Sequence, residues 1–244
     1  MVHSCPILFA PGRADAVAKQ GLYYLRGYVP PITNDVCFSY DTAAMSGDDW
    51  CTMGWSYKNV WDEFDYVGRD DAFLLDSVYP GLRNIADFFG SLAVMGSDGF
   101  YHIEDSELRE NAVGHDAQDC VAAAKWFWKT AIQTTVLLNA DATKRAPWQG
   151  FLDRIRPYYL MPDGTFGGIV ENGTVKQYKG MQHYVVNVTD EYNLESPPAD
   201  RDRAYNSCDH SFLGANVPHL LGKDPDSVTP VQRTGTGCSA ATPR

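Results

Sequence analysis

Four carboxylates are concentrated in one short stretch, YHIEDSELREN, at positions 101–111. Glu104, Asp105, Glu107 and Glu110 follow an aromatic glycine turn and precede a predicted helix. A carboxyl group can act as a general acid in bond cleavage when burial raises its pKa toward neutrality. The same groups can instead keep a loop in solvent and supply negative charge at the start of the next helix. The stretch therefore has two interpretations, a proton donor or a solvated acidic turn.

The helix that follows the acidic stretch begins in HDAQDCVAAA. His115 is placed where it could bond a substrate hydroxyl, but a histidine in such a position is more often a surface or helix-capping residue. Asp116 is a candidate N-cap and Asp119 a candidate first-turn acid. These assignments are the structural alternative to a catalytic loop.

Composition limits the ligand. The formal net charge is −11, which argues against a nucleic-acid partner because phosphate binding relies on clustered Lys and Arg. No run of apolar residues approaches the roughly eighteen that would indicate a membrane span, so no membrane partner is predicted. Aromatic residues make up 13% of the chain and suit sugar rings as well as a core. An uncharged or cationic ligand fits this charge better, and core packing accounts for most of the aromatic residues.

The cysteines lie far apart, without a C-x-x-C pair or another spacing that zinc sites use, so no metal is predicted. Two N-glycosylation sequons begin at Asn172 and Asn187, and these matter only in a secreted chain. The first residues lack the basic and apolar regions of a signal peptide. The compartment stays open.

Apolar residues recur at intervals of three and four over most of the middle of the chain, which predicts amphipathic helices. Asp70 and Asp71 are expected to cap the helix predicted near 72–95, and Pro80 is expected to break or kink that helix. An earlier helix is predicted over 13–26, one strand over 178–193, and disorder over the last fifteen residues. The middle helices are expected near 50–67, 72–95, 117–139 and 147–159.

Short links between these helices predict antiparallel hairpins, a pattern typical of an α-hairpin toroid or solenoid. The predicted fold class is all-α, with an irregular carboxyl-terminal third. The helical part is placed at 1–166 and the irregular part at 167–244.

Two segments carry a resemblance to a known family. The segment MGWSYKNVWDEFDYVGRDDAFLLDSVYPGLRNIADFFGSLAVMGSDGFYHI resembles the six-hairpin glycosidases, closest to glycoside hydrolase family 95, which is α-L-fucosidase-like. The segment from ENAVGHDAQDC to MPDGTFGGI is similar to the hairpin that follows in that family. The resemblance covers roughly residues 50–170 and rests on the order of many weak features.

The resemblance implies an (α/α)6 barrel that hydrolyses glycosides with inversion, without a cofactor or an obligate protein partner. Inversion uses a general acid and a general base roughly 6.5–9.5 Å apart. The family's Pro-Glu-Asn pattern falls on Glu110 and Asn111, with Arg109 in the proline position, and Glu104 and Glu107 remain alternatives for the acid. Asn111, Trp55 and His183 are implied substrate contacts, and the place of His115 in the same loop makes it a further candidate contact.

The chain also departs from the family. About five helices are predicted where a six-hairpin barrel has about twelve, and at roughly twelve residues each those need a longer chain. The family segments that position the water and hold the general base have no counterpart. The expectation is a fragment or mis-spliced product of a longer glycosidase, with missing helices supplied by a partner chain as the less favoured explanation. The alternatives are a polysaccharide lyase on a similar barrel, with Tyr or His as base, and a catalytically dead paralogue.

Overall fold

A computed structural model describes residues 53–67, 69–104, 106–108, 112–177, 184–187, 189–208 and 221–222. More than half of these residues are helical, and the strands are short. The mainly α class predicted from the sequence is thus found in the described part of the chain. The predicted helix at 13–26 and the predicted disordered tail lie outside the described residues.

The described elements follow one another as helices interrupted by β-hairpins. The helical elements are α1 (Met53–Val67), α2 (Asp71–Phe73), π1 (Leu74–Val78), α3 (Tyr79–Leu92), α4 (Gln118–Leu137), α5 (Ala142–Arg154), α6 (Tyr184–Asn187) and α7 (Pro198–Ser207). The strands are β1 (Ala93–Met95), β2 (Tyr101–Ile103), β3 (Ser106–Leu108), β4 (Ala112–Gly114), β5 (Ile169–Glu171) and β6 (Thr174–Lys176).

The second predicted helix is formed by α2, π1 and α3 in succession. Asp70 is its N-cap, and its carboxylate accepts hydrogen bonds from the backbone N–H groups of Ala72 and Phe73. The backbone N–H of Tyr79 bonds to the carbonyl of Leu74, five residues earlier, so the helix widens just before Pro80. Proline has no N–H to donate, and the helix accommodates Pro80 through this π turn. The helix is therefore not broken at Pro80.

Helix α4 lies at the centre of the core. It is buried over much of its length and packs against α1, α3 and α5. The ring centre of Phe127 lies 5.8 Å from that of Tyr57 in α1 and 5.7 Å from that of Phe89 in α3. Trp128 stacks on Phe151 of α5 and donates its indole N–H to the carbonyl of Ala86 at 2.9 Å. These aromatic contacts between neighbouring helices fix their packing.

Helix α5 differs from its predicted bounds of 147–159. It begins at Ala142, because Arg145 donates to the Thr135 hydroxyl at 2.8 Å and to the Thr135 carbonyl at 2.6 Å, which fixes the first turn against α4. Pro147 is therefore inside the helix. The helix ends at Arg154 and the chain continues extended toward Pro157, since a residue before proline is disfavoured in the α region.

The described residues from 167 onward include strands and helices. Strands β5 and β6 form an antiparallel hairpin, and Val170 pairs with His115, which joins this hairpin to the helical part. Residues 184–187, inside the segment predicted as a strand, are helical, and α7 adds a further helix. None of the described helices is both long enough and apolar enough to cross a membrane.

The β-hairpins gather at one end of the helices. Helix α3 ends there and continues into β1, helix α4 begins there after β4, and α5 ends there. Tyr101 of β2 bridges to Ile155, and the backbone N–H of Asp116 bonds to the carbonyl of Ile103 at 2.9 Å. This end of the molecule carries the acidic stretch and the ionisable cluster described next.

Candidate functional site

A buried carboxylate, Asp116, organises the hairpin end. Asp116 is 4% exposed and has a left-handed backbone with φ of 53°, a conformation that Asp tolerates better than most residues. Its Oδ1 accepts the backbone N–H of Ile103 at 2.9 Å. Its Oδ2 lies 2.6 Å from His102 Nδ1 and accepts the Tyr159 hydroxyl at 3.4 Å. The predicted N-cap role is wrong, because Ala117 occupies the cap position and Asp116 bonds across to β2.

His102 lies between two carboxylates. Its Nδ1 faces Asp116, and its Nε2 lies 3.1 Å from Asp98 Oδ1. Burial is the largest single influence on the pKa of His102 and lowers it. The hydrogen bonds to Asp116 and Asp98 and the charges of these carboxylates together outweigh burial, so the pKa of His102 is raised above its ordinary value. The hydrogen bond from His102 is the main reason that the pKa of Asp98 is lowered. The imidazolium form, in which both ring nitrogens donate, suits this position.

This arrangement predicts a pH dependence of stability. The raised pKa of folded His102 means that its stabilising contribution is complete below the ordinary histidine pKa, about 6.5, and is lost as the pH rises through the folded value. The urea midpoint should therefore fall between about pH 6 and pH 8 more steeply in the natural protein than in His102→Gln. His115→Gln, at the neighbouring ring, should keep the steeper slope. Equal slopes in the natural protein and His102→Gln would contradict the expectation.

His115 is half-buried beside the Asp116 carboxylate, with its Nδ1 3.3 Å from Oδ2. Its backbone is fixed by two hydrogen bonds with Val170 of β5, both 3.0 Å long. The preceding Gly114 is needed at this contact, because a Cβ there would lie 2.2 Å from the Val170 carbonyl oxygen. His115 is thus positioned by backbone bonds and is partly open to solvent.

The guanidinium of Arg156 lies next to the cluster that His102, His115 and Tyr159 form around Asp116. The Arg156 guanidinium is 4.7 Å from the ring centre of Tyr159 and 5.4 Å from that of Phe100. Its Nε is buried, lies 3.9 Å from Asp98 Oδ2 and has no hydrogen-bond partner in the described part of the chain. The backbone N–H of Arg156 bonds to the carbonyl of Tyr101, which holds the residue after α5 against β2.

Gln118, the first residue of α4, has a buried side chain that is 1% exposed. Neither the nitrogen nor the oxygen of its amide has a hydrogen-bond partner among the residues that the structure describes, although its backbone N–H bonds to the carbonyl of Gly168 at 2.7 Å. Buried polar groups are nearly always paired, so an unpaired amide marks a place where water or a polar ligand group would be stabilised.

The acidic stretch is a loop that is closed at its base. Ile103 and Asp116 bond to each other through backbone and side chain, and the buried Ser106 hydroxyl donates to the Ile103 carbonyl at 2.6 Å. Strands β3 and β4 pair with Leu108 opposite Ala112. Residues 109–111, which are not among the described residues, are therefore the ones that join the two strands.

The structure brings one predicted site residue, His115, into the cluster. Glu104 is exposed at the turn after β2, and Glu107 lies in β3 opposite Val113. Trp55 belongs to α1. The side chains of Glu107 and Trp55, and the whole of Glu110, Asn111 and His183, lie outside the described structure.

Four members of the cluster were not among the predicted site residues, namely His102, Asp116, Tyr159 and Arg156. Their positions in sequence give little indication of contact, since the bonds between them link β2, the residues before α4 and the segment after α5. The one signal available in the sequence was that His102 lies near the start of the acidic stretch and Asp116 lies shortly after its end.

His102, His115 and Asp116 each offer one possible metal-ligand atom, and these atoms lie within 4.8 Å of one another. Two ligands of a tetrahedral zinc, each 2.0–2.1 Å from the ion, lie about 3.3 Å apart. The separation of 2.6 Å between His102 Nδ1 and Asp116 Oδ2 is shorter and is a normal charge-assisted hydrogen-bond length. The geometry therefore favours a hydrogen-bonded acid–base cluster over a metal site.

Comparisons with known proteins add no family. No protein-family model matches the chain, and no curated protein matches it.

Proposed function

We propose that this chain is an inverting glycoside hydrolase, or a part of one, and that the hairpin end of the helices is its active site. The observation that carries the proposal is the closed acidic loop. Its base is fixed by the bonds between Ile103 and Asp116, and the strands Ser106–Leu108 and Ala112–Gly114 lead to the connection that contains Glu110.

Glu110 is the proposed proton donor. A general acid of a glycosidase needs a pKa raised toward neutrality, and partial burial among aromatic side chains supplies this. Arg109 would lower that pKa if its guanidinium approached the carboxyl group, so the proposal requires the two side chains to point apart. Asn111 is proposed as a neighbouring hydrogen-bond donor and Trp55 as an aromatic wall for the sugar.

The described cluster supports a sugar site beside this loop. Half-buried His115 and the Arg156 guanidinium offer donors for hydroxyl oxygens, and Tyr159 and Phe100 offer aromatic surface next to them. The unpaired amide of Gln118 is another polar group available at the same end.

A polysaccharide lyase is the second candidate, and one observation favours it. β-Elimination from a uronate needs a base, a proton donor and a cation near the carboxylate of the sugar. His115, Tyr159 and Arg156 are of these three types and lie in one cluster around Asp116. His102 does not suit the base, because its neighbouring carboxylates favour its protonated form.

The products separate the two functions. The full chain would be incubated with neutral oligosaccharides, including fucosylated ones, and with uronate polymers. A hydrolase releases a new reducing end, and proton NMR at early times should show the inverted anomer. A lyase forms an unsaturated sugar that absorbs in the ultraviolet. Unsaturated product from a uronate polymer would overturn the hydrolase proposal in favour of the lyase, and no cleavage of either class would count against both.

A further inference from the structure

The tip of the β5–β6 hairpin presents a complete N-glycosylation sequon, Asn172-Gly173-Thr174. Glu171 pairs with Thr174, so Asn172 and Gly173 form a two-residue loop. Their φ angles of 48° and 73° are both positive, as a type I′ turn requires. The turn therefore projects the acceptor amide at the end of a hairpin.

The sequon is sterically open. Asn172, Gly173 and Thr174 are all exposed. A Cβ placed on Gly173 would meet no atom within 4 Å, so the space next to the acceptor is empty. The Asn172 amide makes no hydrogen bond with any described residue. Attachment of a bulky polar glycan here would displace no packed side chain.

The second sequon lies in a different setting. Asn187 is the last residue of α6, directly after Val185 and Val186, which are buried in the core.

A disulfide bond independently indicates an oxidising compartment, where such glycans are added. Cys120, in the first turn of α4, is disulfide-bonded. Disulfides form in oxidising compartments, which include the secretory pathway in which asparagine-linked glycans are added.

We infer that Asn172 is an acceptor for asparagine-linked glycosylation, with a lipid diphosphate-linked oligosaccharide as the donor. The side-chain nitrogen of Asn172 forms a bond to the anomeric carbon of the first sugar. The bond between that carbon and the diphosphate oxygen breaks, the lipid diphosphate leaves with the electron pair, and the amide loses one proton. Thr174 supplies the hydroxyl that defines the sequon. The inference does not depend on the proposed hydrolase activity.

The test uses the full chain directed into the secretory pathway of a eukaryotic cell by an added leader. Gel mobility would be compared before and after digestion with a peptide N-glycosidase, and the peptide containing Asn172 would be weighed. Total membrane-enclosed chain is analysed, so a variant that fails to fold still reports glycan transfer. The variants are Asn172→Gln, Thr174→Ala, Thr174→Ser and Asn187→Gln.

We expect the natural chain and Asn187→Gln to carry a glycan on the Asn172 peptide. Asn172→Gln and Thr174→Ala should lose that glycan, and Thr174→Ser, which keeps the sequon, should retain it. An unmodified Asn172 peptide in the natural chain would overturn the inference, as would a mobility shift that persists in Asn172→Gln but disappears in Asn187→Gln.

Discussion

Glu110→Gln is expected to reduce hydrolysis of a substrate with a poor leaving group by about 10²–10⁴. The glutamine keeps the size of the side chain but cannot donate the proton that the departing oxygen needs. A substrate with an activated aryl leaving group departs without that proton and should lose far less activity. The measurement is kcat/KM for both substrates with the full chain, and it depends on the proposed hydrolase function.

A matched control for this variant is Glu195→Gln, an exposed carboxylate in the segment between α6 and α7. It removes the same charge and should leave both activities unchanged. Equal losses on the two substrates in Glu110→Gln would indicate a structural role for Glu110. No loss at all would move the assignment to Glu104 or Glu107.

Asp116→Ala is expected to lower the free energy of unfolding by about 1–3 kcal/mol, because it leaves the buried backbone N–H of Ile103 without its acceptor. The substitution removes the acceptor of the Ile103 N–H and one of the two carboxylates that face His102. Urea unfolding followed by circular dichroism would measure the loss. Asp116→Asn keeps one acceptor oxygen and tolerates the left-handed backbone, so it should cost less.

Part of any loss at Asp116 comes from placing alanine at a positive φ. Asp190 provides the control, since it is exposed and has a φ of 52°, close to the 53° of Asp116. Asp190→Ala measures the cost of the backbone conformation alone, of order 1–3 kcal/mol. If Asp116→Ala were no more destabilising than Asp190→Ala, the buried hydrogen bonds would have no net stabilising role.

The long helices were predictable because their burial repeats along the chain. The apolar intervals placed α1, α3 and α4 close to their observed bounds, and Asp70 marked a helix start through its capping chemistry. Helix α5 was mispredicted at both ends. Its start depends on tertiary hydrogen bonds from Arg145 to α4. Its end could have been predicted from Pro157, but the periodicity of the apolar residues was preferred as the signal.

The hairpins were harder to predict because their strands are only three residues long. Alternation of apolar and polar residues is not visible over so short a run. One hairpin did have a local signal, since Asn-Gly between apolar residues is typical of a type I′ turn. At Asn172 that signal was interpreted only as a sequon.

The candidate site could be predicted only in part, for the same physical reason. The carboxylates of the acidic stretch are adjacent in sequence, so composition alone identified the loop. The cluster of His102, Asp116, Tyr159 and Arg156 is assembled by contacts between segments far apart in the chain, and no sequence spacing encodes those contacts. His115 was identified because it lies beside the predicted start of α4.

The closure of the acidic loop at Ile103 and Asp116 has a consequence for divergence among relatives. A segment whose two ends are held together can change length and composition without altering the helices beneath it. The entropic penalty is small, since doubling the length of a flexible loop costs only about 0.6 kcal/mol. The connection between Leu108 and Ala112 is thus the part of this segment most open to a change in length, whereas Gly114 and His115 are tied to β5 by a close backbone contact and by hydrogen bonds.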